Sequence, residues 1–199
     1  MRRSHIKMSA VTRTLWHDAH LMSLLLVVLA ITAPLAGCQT YSASRYSILG
    51  DNLRTLRTFK GQAVNIGPFS AATPGQTEII CRGAGPIKAP DGEAFEQFVQ
   101  KAFLDELTIA ELYSVDAQTT ITGRLDAIDF SSGIGAAWNI ALTITSSNGT
   151  SLSVSEQYKY ASSFEGDDAC KRTAQSLMPA VQNVVGKVIR HPNFPELLR

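Results

Sequence analysis

Residues 138–160, WNIALTITSSNGTSLSVSEQYKY, decide the fold class. Trp138, Ile140, Leu142 and Ile144 alternate with polar or small residues, the period of a strand that buries one face. Leu152, Val154, Tyr158 and Tyr160 repeat that period within 151–162. Between the runs stands Ser147-Asn148-Gly149-Thr150. Asn-Gly between alternating runs is the strongest short hairpin signal, because the favoured two-residue turn needs positive φ at its centre. The opposite face of both runs carries mainly Ser, Thr, Asn and Gln, a sheet surface turned to solvent.

Outward from the hairpin, residues 119–130 (TTITGRLDAIDF) alternate through Ile121, Gly123 and Leu125. The parity then shifts to Ile128 and Phe130, which predicts a bulge near Asp126-Ala127. Residues 131–136 (SSGIGA) form a flexible connection. Two further strands are expected at 62–69 (QAVNIGPF) and 77–82 (TEIICR). The stretch 83–90 (GAGPIKAP) reads as a turn-rich connection. Its Gly83-Ala84-Gly85 lacks the third glycine and the Lys-Ser/Thr of a phosphate-binding loop.

Two helices stand out. The first opens after Pro90, with Asp91 as the expected N-cap. Phe95, Phe98, Val99, Ala102, Phe103, Leu107 and Ile109 follow at helical intervals, Glu93 and Glu96 favour the first turns, and Lys101 is spaced to pair with Asp105. Its end is expected near 112–114. The second opens at Gly166-Asp167-Asp168, where either aspartate suits the cap. Its apolar stripe is Ala169, Ala174, Leu177, Met178, Val181, Val184, Val185 and Val188. Pro179 predicts a kink, and His191-Pro192 ends the helix. The tail, NFPELLR, either packs or frays. This order predicts an α+β fold: an antiparallel or mixed sheet of four to five strands with two long amphipathic helices packed on one face.

The start of the 199-residue chain reads differently. Arg2, Arg3, Lys7 and Arg13 precede an apolar run at 21–33 (LMSLLLVVLAITA), shorter than the roughly 20 residues of a spanning helix. Small residues follow, as in a secretory signal. Met8 is an alternative start. The segment closes on Leu35-Ala36-Gly37-Cys38, which resembles the lipobox of bacterial lipoproteins. That resemblance implies signal cleavage between Gly37 and Cys38, and acylation of the Cys38 thiol and of the new amine. Several acyl chains anchor a protein stably where one does not. In such lipoproteins an aspartate after the cysteine accompanies inner-membrane retention. Gln39 stands there instead, so the outer membrane is favoured, with the domain facing the periplasm. The expected organisation is a signal peptide at 1–37, a lipidated tether and amphipathic segment at 38–60, and one periplasmic α+β domain at 61–199. Within 38–60, residues 39–47 are small and polar. Leu49, Leu53, Leu56 and Phe59 then recur at helical spacing among Arg54, Arg57 and Lys60. This segment either packs on the domain or lies on the membrane surface. The element order also resembles the βαβββα plan of small envelope lipoproteins of the LptE and YajG-like type, which implies a binding or assembly role. That likeness includes no diagnostic side chain beyond the lipobox, and the strand at 77–82 departs from it.

Loss of 1–37 leaves 14 Lys/Arg against 16 Asp/Glu, so charge offers no case for nucleic acid. Cys81 and Cys170 remain, an even pair in an oxidising compartment, and a disulfide is expected. Reactive thiols or metal ligands are the alternative, but His191 is the sole remaining histidine. No catalytic residue, metal site or cofactor is expected. The carboxylate groups Asp126 with Asp129, Glu165 with Asp167 and Asp168, and Asp105 with Glu106 have spacings that capping, strand alternation or a helix's polar face explain. The expected function is therefore that of a membrane-anchored accessory or assembly factor binding an envelope protein. The alternative is a lipoprotein that binds a small molecule, lipid or glycan in a cavity lined by Phe95, Phe98, Phe103, Trp138, Tyr158 and Tyr160.

Overall fold

The computed structural model describes residues 39–199. Its strands are β1 (Tyr41–Ser42), β2 (Asn65–Ala71), β3 (Glu78–Cys81), β4 (Gly85–Lys88), β5 (Thr120–Ser131), β6 (Ala137–Ser146) and β7 (Ser151–Lys159). Its helices are α1 (Gly50–Leu56), α2 (Phe95–Ile109), α3 (Gly166–Ile189) and α4 (Phe194–Leu197). The main sheet has the order β2-β5-β6-β7, with β2 parallel to β5 and the other pairs antiparallel. A small sheet has the order β1-β4-β3. The fold is α+β, with a mixed four-stranded sheet.

The hairpin organises the core as its alternation predicted. Trp138 on β6 is flanked by Phe130 on β5 and Tyr158 on β7. The Phe130 and Trp138 rings lie 4.9 Å apart, and Phe95 of α2 approaches Trp138 at 6.5 Å. The Trp138 indole N–H donates to the Thr173 carbonyl of α3 at 2.8 Å. One side chain thus joins the sheet to both long helices, with aromatic pairing adding about 1 kcal/mol per contact beyond area burial. The bulge is present: register shifts between Leu125 and Ala127, leaving Asp126 as the extra residue. Gly123 makes room for Phe69, whose ring would lie 2.4 Å from a Cβ there.

Several elements differ from expectation for identifiable reasons. Residues 85–88 are a strand, because β3 pairs with them antiparallel and β1 lies parallel on the other side. The strand expected from residue 62 begins at Asn65. Asp91 does not cap α2. It lies in a tight turn at φ 59° and takes a two-pronged hydrogen bond from Arg45 at 2.7 and 2.8 Å. Ala94 holds the cap position, and Gln97 accepts from its backbone N–H at 3.0 Å. Lys101 pairs with Glu93 at 2.9 Å rather than with Asp105. The helix stops at Ile109, which is half exposed, through a left-handed residue at Glu111 (φ 61°). Leu112 N–H then bonds Leu107 O and Glu111 N–H bonds Thr108 O, the Schellman pattern. Neither aspartate caps α3: Glu165 is the cap, while Asp167 and Asp168 pair with Lys171 and Arg172 one turn on. The helix passes through Pro179 as a single element of 24 residues.

Residues 39–60 are not a tether. Tyr41 and Ala43 are buried, and β1 completes the small sheet. The Tyr41 hydroxyl donates to Asp167 at 2.9 Å. α1 buries Leu56, and Phe59 meets Phe194 of the tail edge-on at 5.5 Å. The packed reading of this segment is the observed one, and no boundary separates it from residues 61–199. The tail packs as well, burying Phe194, Leu197 and Leu198.

Candidate functional site

Cys81 and Cys170 form a disulfide, with Cα atoms 5.9 Å apart, tying β3 to the start of α3. Cys38 and Gly37 lie outside the described residues. The described chain begins at Gln39, whose backbone carbonyl rests against Gly85: a Cβ there would sit 1.8 Å from it. Among the described residues no helix is long and apolar enough to cross a membrane.

The carboxylates are each held by neighbouring donors. Asp126 accepts from Arg124 at 2.9 Å and from the Thr143 hydroxyl at 2.6 Å. Asp129 accepts from Asn139 at 2.7 Å. Both line a hollow of 170 Å³ with Glu96, which accepts from Gly75 N–H at 2.7 Å. Among the described residues no cluster of three or more His, Cys, Asp or Glu side chains could hold a metal ion. His191 Nδ1 accepts from Asn193 N–H at 3.1 Å, a local turn at the end of α3.

Glu106 departs from its expected place on a polar helix face, since it is fully buried. Its Oε1 accepts from the Tyr46 hydroxyl at 2.6 Å, Leu49 N–H at 3.0 Å and Asn52 Nδ2 at 3.1 Å. Asn52 Oδ1 in turn accepts from Arg190 at 2.8 Å, over Gly186, where a Cβ would press both groups. Burial, then the hydrogen bond and charge of Glu106, pushes the Tyr46 hydroxyl pKa well up. This network fastens the N-terminal arm to α2 and α3. Its hydrogen-bond partners lie within the fold, and the second Glu106 carboxylate oxygen, Oε2, is buried without one among the described residues.

The aromatic residues considered for a ligand cavity mostly fill the core. Phe95, Phe98, Phe103 and Trp138 are buried there. Tyr160 alone of the six borders the large surface cleft described below. Glu156 is a residue the alternation passed over. It faces inward on β7, paired with Lys187 at 2.8 Å.

Two surface features remain. The first is the free edge of β7. Natural sheets protect edges with charges, proline, bulges or short length. β2, the opposite edge, carries Gly67 and Pro68 and a register shift between Ile66 and Phe69. β3 is four residues long and bears Glu78. β7 runs nine residues, and its solvent face is Ser151, Ser153, Ser155 and Gln157, with Lys159 at the end. The second feature is a 580 Å³ cleft where β7 ends, between the 132–136 loop and residues 160–164.

No family model matches the sequence, and no curated protein matches it. Among solved structures, the chain is similar to a Xanthomonas campestris protein described under the family model DUF330. The two are 9% identical with a TM-score of 0.48, over 76% of this chain and 95% of that one. A second structure, described as an uncharacterized protein, is 8% identical with a TM-score of 0.42, over 75% and 99% of the two chains. Similarity at this level assigns neither a family nor a function to the chain.

Proposed function

We propose that this protein is a periplasm-facing lipoprotein, held by lipid on Cys38 and favouring the outer membrane, that binds an envelope protein as an accessory or assembly factor. The contact is β-strand addition at β7. The role is binding, not catalysis, and it involves no cofactor and no nucleic acid.

The observation that carries this reading is the contrast between edges. β2 and β3 are blunted by proline, irregular register, short length or charge, whereas β7 runs nine residues without proline or bulge and turns uncharged Ser151, Ser153, Ser155 and Gln157 to solvent, with Lys187 closing one point of the edge at the Ser155 carbonyl, 2.6 Å away. A long, regular edge with a single guarding lysine invites pairing, so its retention on a secreted domain favours a partner strand that uses it. The lipobox supplies the location. The alternating hydroxyl and amide side chains of the solvent face suit a partner of polar sequence.

Site-specific photocrosslinking in cells tests the reading. A photoreactive residue at Ser153 or Gln157 is expected to capture one discrete protein that the same residue at Arg57, on the N-terminal arm, does not. The substitution Ser155→Pro, which removes a backbone donor from the strand, is expected to abolish the adduct. Identical abundant neighbours at all positions would refute strand addition.

A further inference from the structure

Ile134 and Phe164 are 96% and 95% exposed. Single exposed apolar residues are ordinary on protein surfaces. These two border one cleft, and nothing in the fold accounts for them there. Ile134 sits between Gly133 and Gly135 at the tip of the β5–β6 connection. Phe164 tops the turn that leads into α3. Arg82 holds the two loops together: Nε donates to Ser132 Oγ at 2.9 Å, Nη1 to the Phe164 carbonyl at 3.4 Å, and Nη2 to the Ser132 carbonyl. The two tips are therefore presented side by side by a braced platform.

The chain enters the domain beside that platform. Gln39 packs on Gly85, Gly85 pairs with Cys81, and Cys81 precedes Arg82. Tyr41, two residues further, bonds Asp167, three residues after Phe164. Cys38 is joined directly to Gln39, so lipid on Cys38 starts within a few residues' reach of both tips, at most about 3.5 Å per residue. Arg82 and Lys159 flank the cleft, and Glu165 is the acid beside Phe164. Asp167 and Asp168 are already paired with Lys171 and Arg172. Apolar tips with long cationic side chains at their margin match a membrane interface, where the rings and methyls sink and the cations stay at the headgroups.

We infer that Ile134 and Phe164 insert into the bilayer surface beside the lipidated N-terminus and set the orientation of the domain on the membrane. This rests on the reading of Cys38 as the lipid-bearing residue. The face turned to the membrane is then the cleft end of the main sheet. The loop at 114–119 points away, separated by the length of β5, about 36 Å at strand rise.

The processed, lipidated protein reconstituted into phosphatidylcholine vesicles provides the test. Tryptophan is introduced as Phe164→Trp, Ile134→Trp or, as a distal control, Val115→Trp, all at exposed positions. The buried Trp138 is a constant background. Bromine is placed at defined acyl depths in the lipid. The emission added by Phe164→Trp and Ile134→Trp is expected to shift to the blue and be largely quenched by shallow bromine, while that added by Val115→Trp is not. Equal, weak quenching at all three positions in protein that floats with the vesicles would overturn insertion while leaving the anchor intact. A protein partner, or the protein's own acyl chain, occupying the cleft would produce that result. A Cys38 peptide without lipid mass would overturn both readings together.

Discussion

Replacing both bridging cysteines, Cys81→Ala with Cys170→Ala, is the perturbation whose magnitude follows most directly from the fold. The bridge spans a sequence separation of 89 residues, more than half of the described domain. In the chain-entropy account, closing a loop of that size removes about 4.6 kcal/mol of freedom from the unfolded chain at 25 °C. Both cysteines are fully buried, so the lost sulfur atoms add roughly 1 kcal/mol of transfer and void cost. A loss of about 5 kcal/mol is comparable with the whole stability of many domains, about 5–15 kcal/mol. Trp138, completely buried and bonded to α3, reports the transition by its fluorescence in guanidinium. The midpoint is expected to fall sharply. The denaturant slope is expected to rise, because the uncrosslinked chain exposes more surface when unfolded. A loss below about 1.5 kcal/mol with an unchanged slope would refute the reasoning, since it would mean that the unfolded chain is already compact between residues 81 and 170.

Glu106→Ala removes the shared acceptor of the half-buried Tyr46 hydroxyl and Leu49 N–H and of the buried Asn52 amide. It is expected to cost about 3 kcal/mol or more, and Glu106→Gln markedly less; equal losses in chemical unfolding would contradict the proposed network. Gly123→Ala forces the Phe69 ring out of its seat and is expected to cost about 1–3 kcal/mol in the same assay. Deleting residues 39–47 is expected to lower the melting temperature, because Tyr41 and Ala43 are core residues, and an unchanged melting temperature would restore the tether reading. Hydrogen bonds from Arg45, Lys171 and Arg172 hold Asp91, Asp167 and Asp168 below their ordinary value of 3.8. Their stabilisation is present above that value and is lost as pH falls through the lowered folded-state values. Melting temperature is therefore expected to drop on acidification below about pH 4, and less so in high salt.

The parts of the fold legible in the sequence were those in which local pattern and burial coincide. Asn148-Gly149 marks its own turn. The parity change from Leu125 to Ile128 marks the Asp126 bulge, and the stripe from Ala169 to Val188 marks α3. β4 was not legible, because Gly85-Pro86-Ile87-Lys88 has the composition of a turn and becomes a strand only between β1 and β3. The end of α2 depends on Glu111 adopting a left-handed conformation without the glycine that usually announces it. Tyr41 is buried by a partner 126 residues away, which no local window contains. Two misplacements did leave a signal. Glu106 continues the stripe through Val99, Ala102 and Phe103, and Glu156 keeps phase between Val154 and Tyr158. Residue type, rather than position, argued against burying them. Of the surfaces, the polar hairpin face was expected, but the paired exposure of Ile134 and Phe164 depends on Arg82 bridging two distant loops.

The two-residue strand β1 also has a mechanical meaning. A pull applied at residue 39 is loaded first onto Tyr41 and Ser42, which lie parallel to Ile87 and Lys88, and onto the Tyr41–Asp167 bond. So small a contact yields early, after which tension passes to the arm and then to β2, held parallel to β5, and it reaches β3 and the bridge to Cys170 only after β2. The chain between residues 81 and 170 is shielded from extension by that covalent clamp. If lipid on Cys38 anchors the chain as proposed, the N-terminal arm would act as a short fuse under tension from the membrane, lengthening before β5, β6 and β7 lose their register.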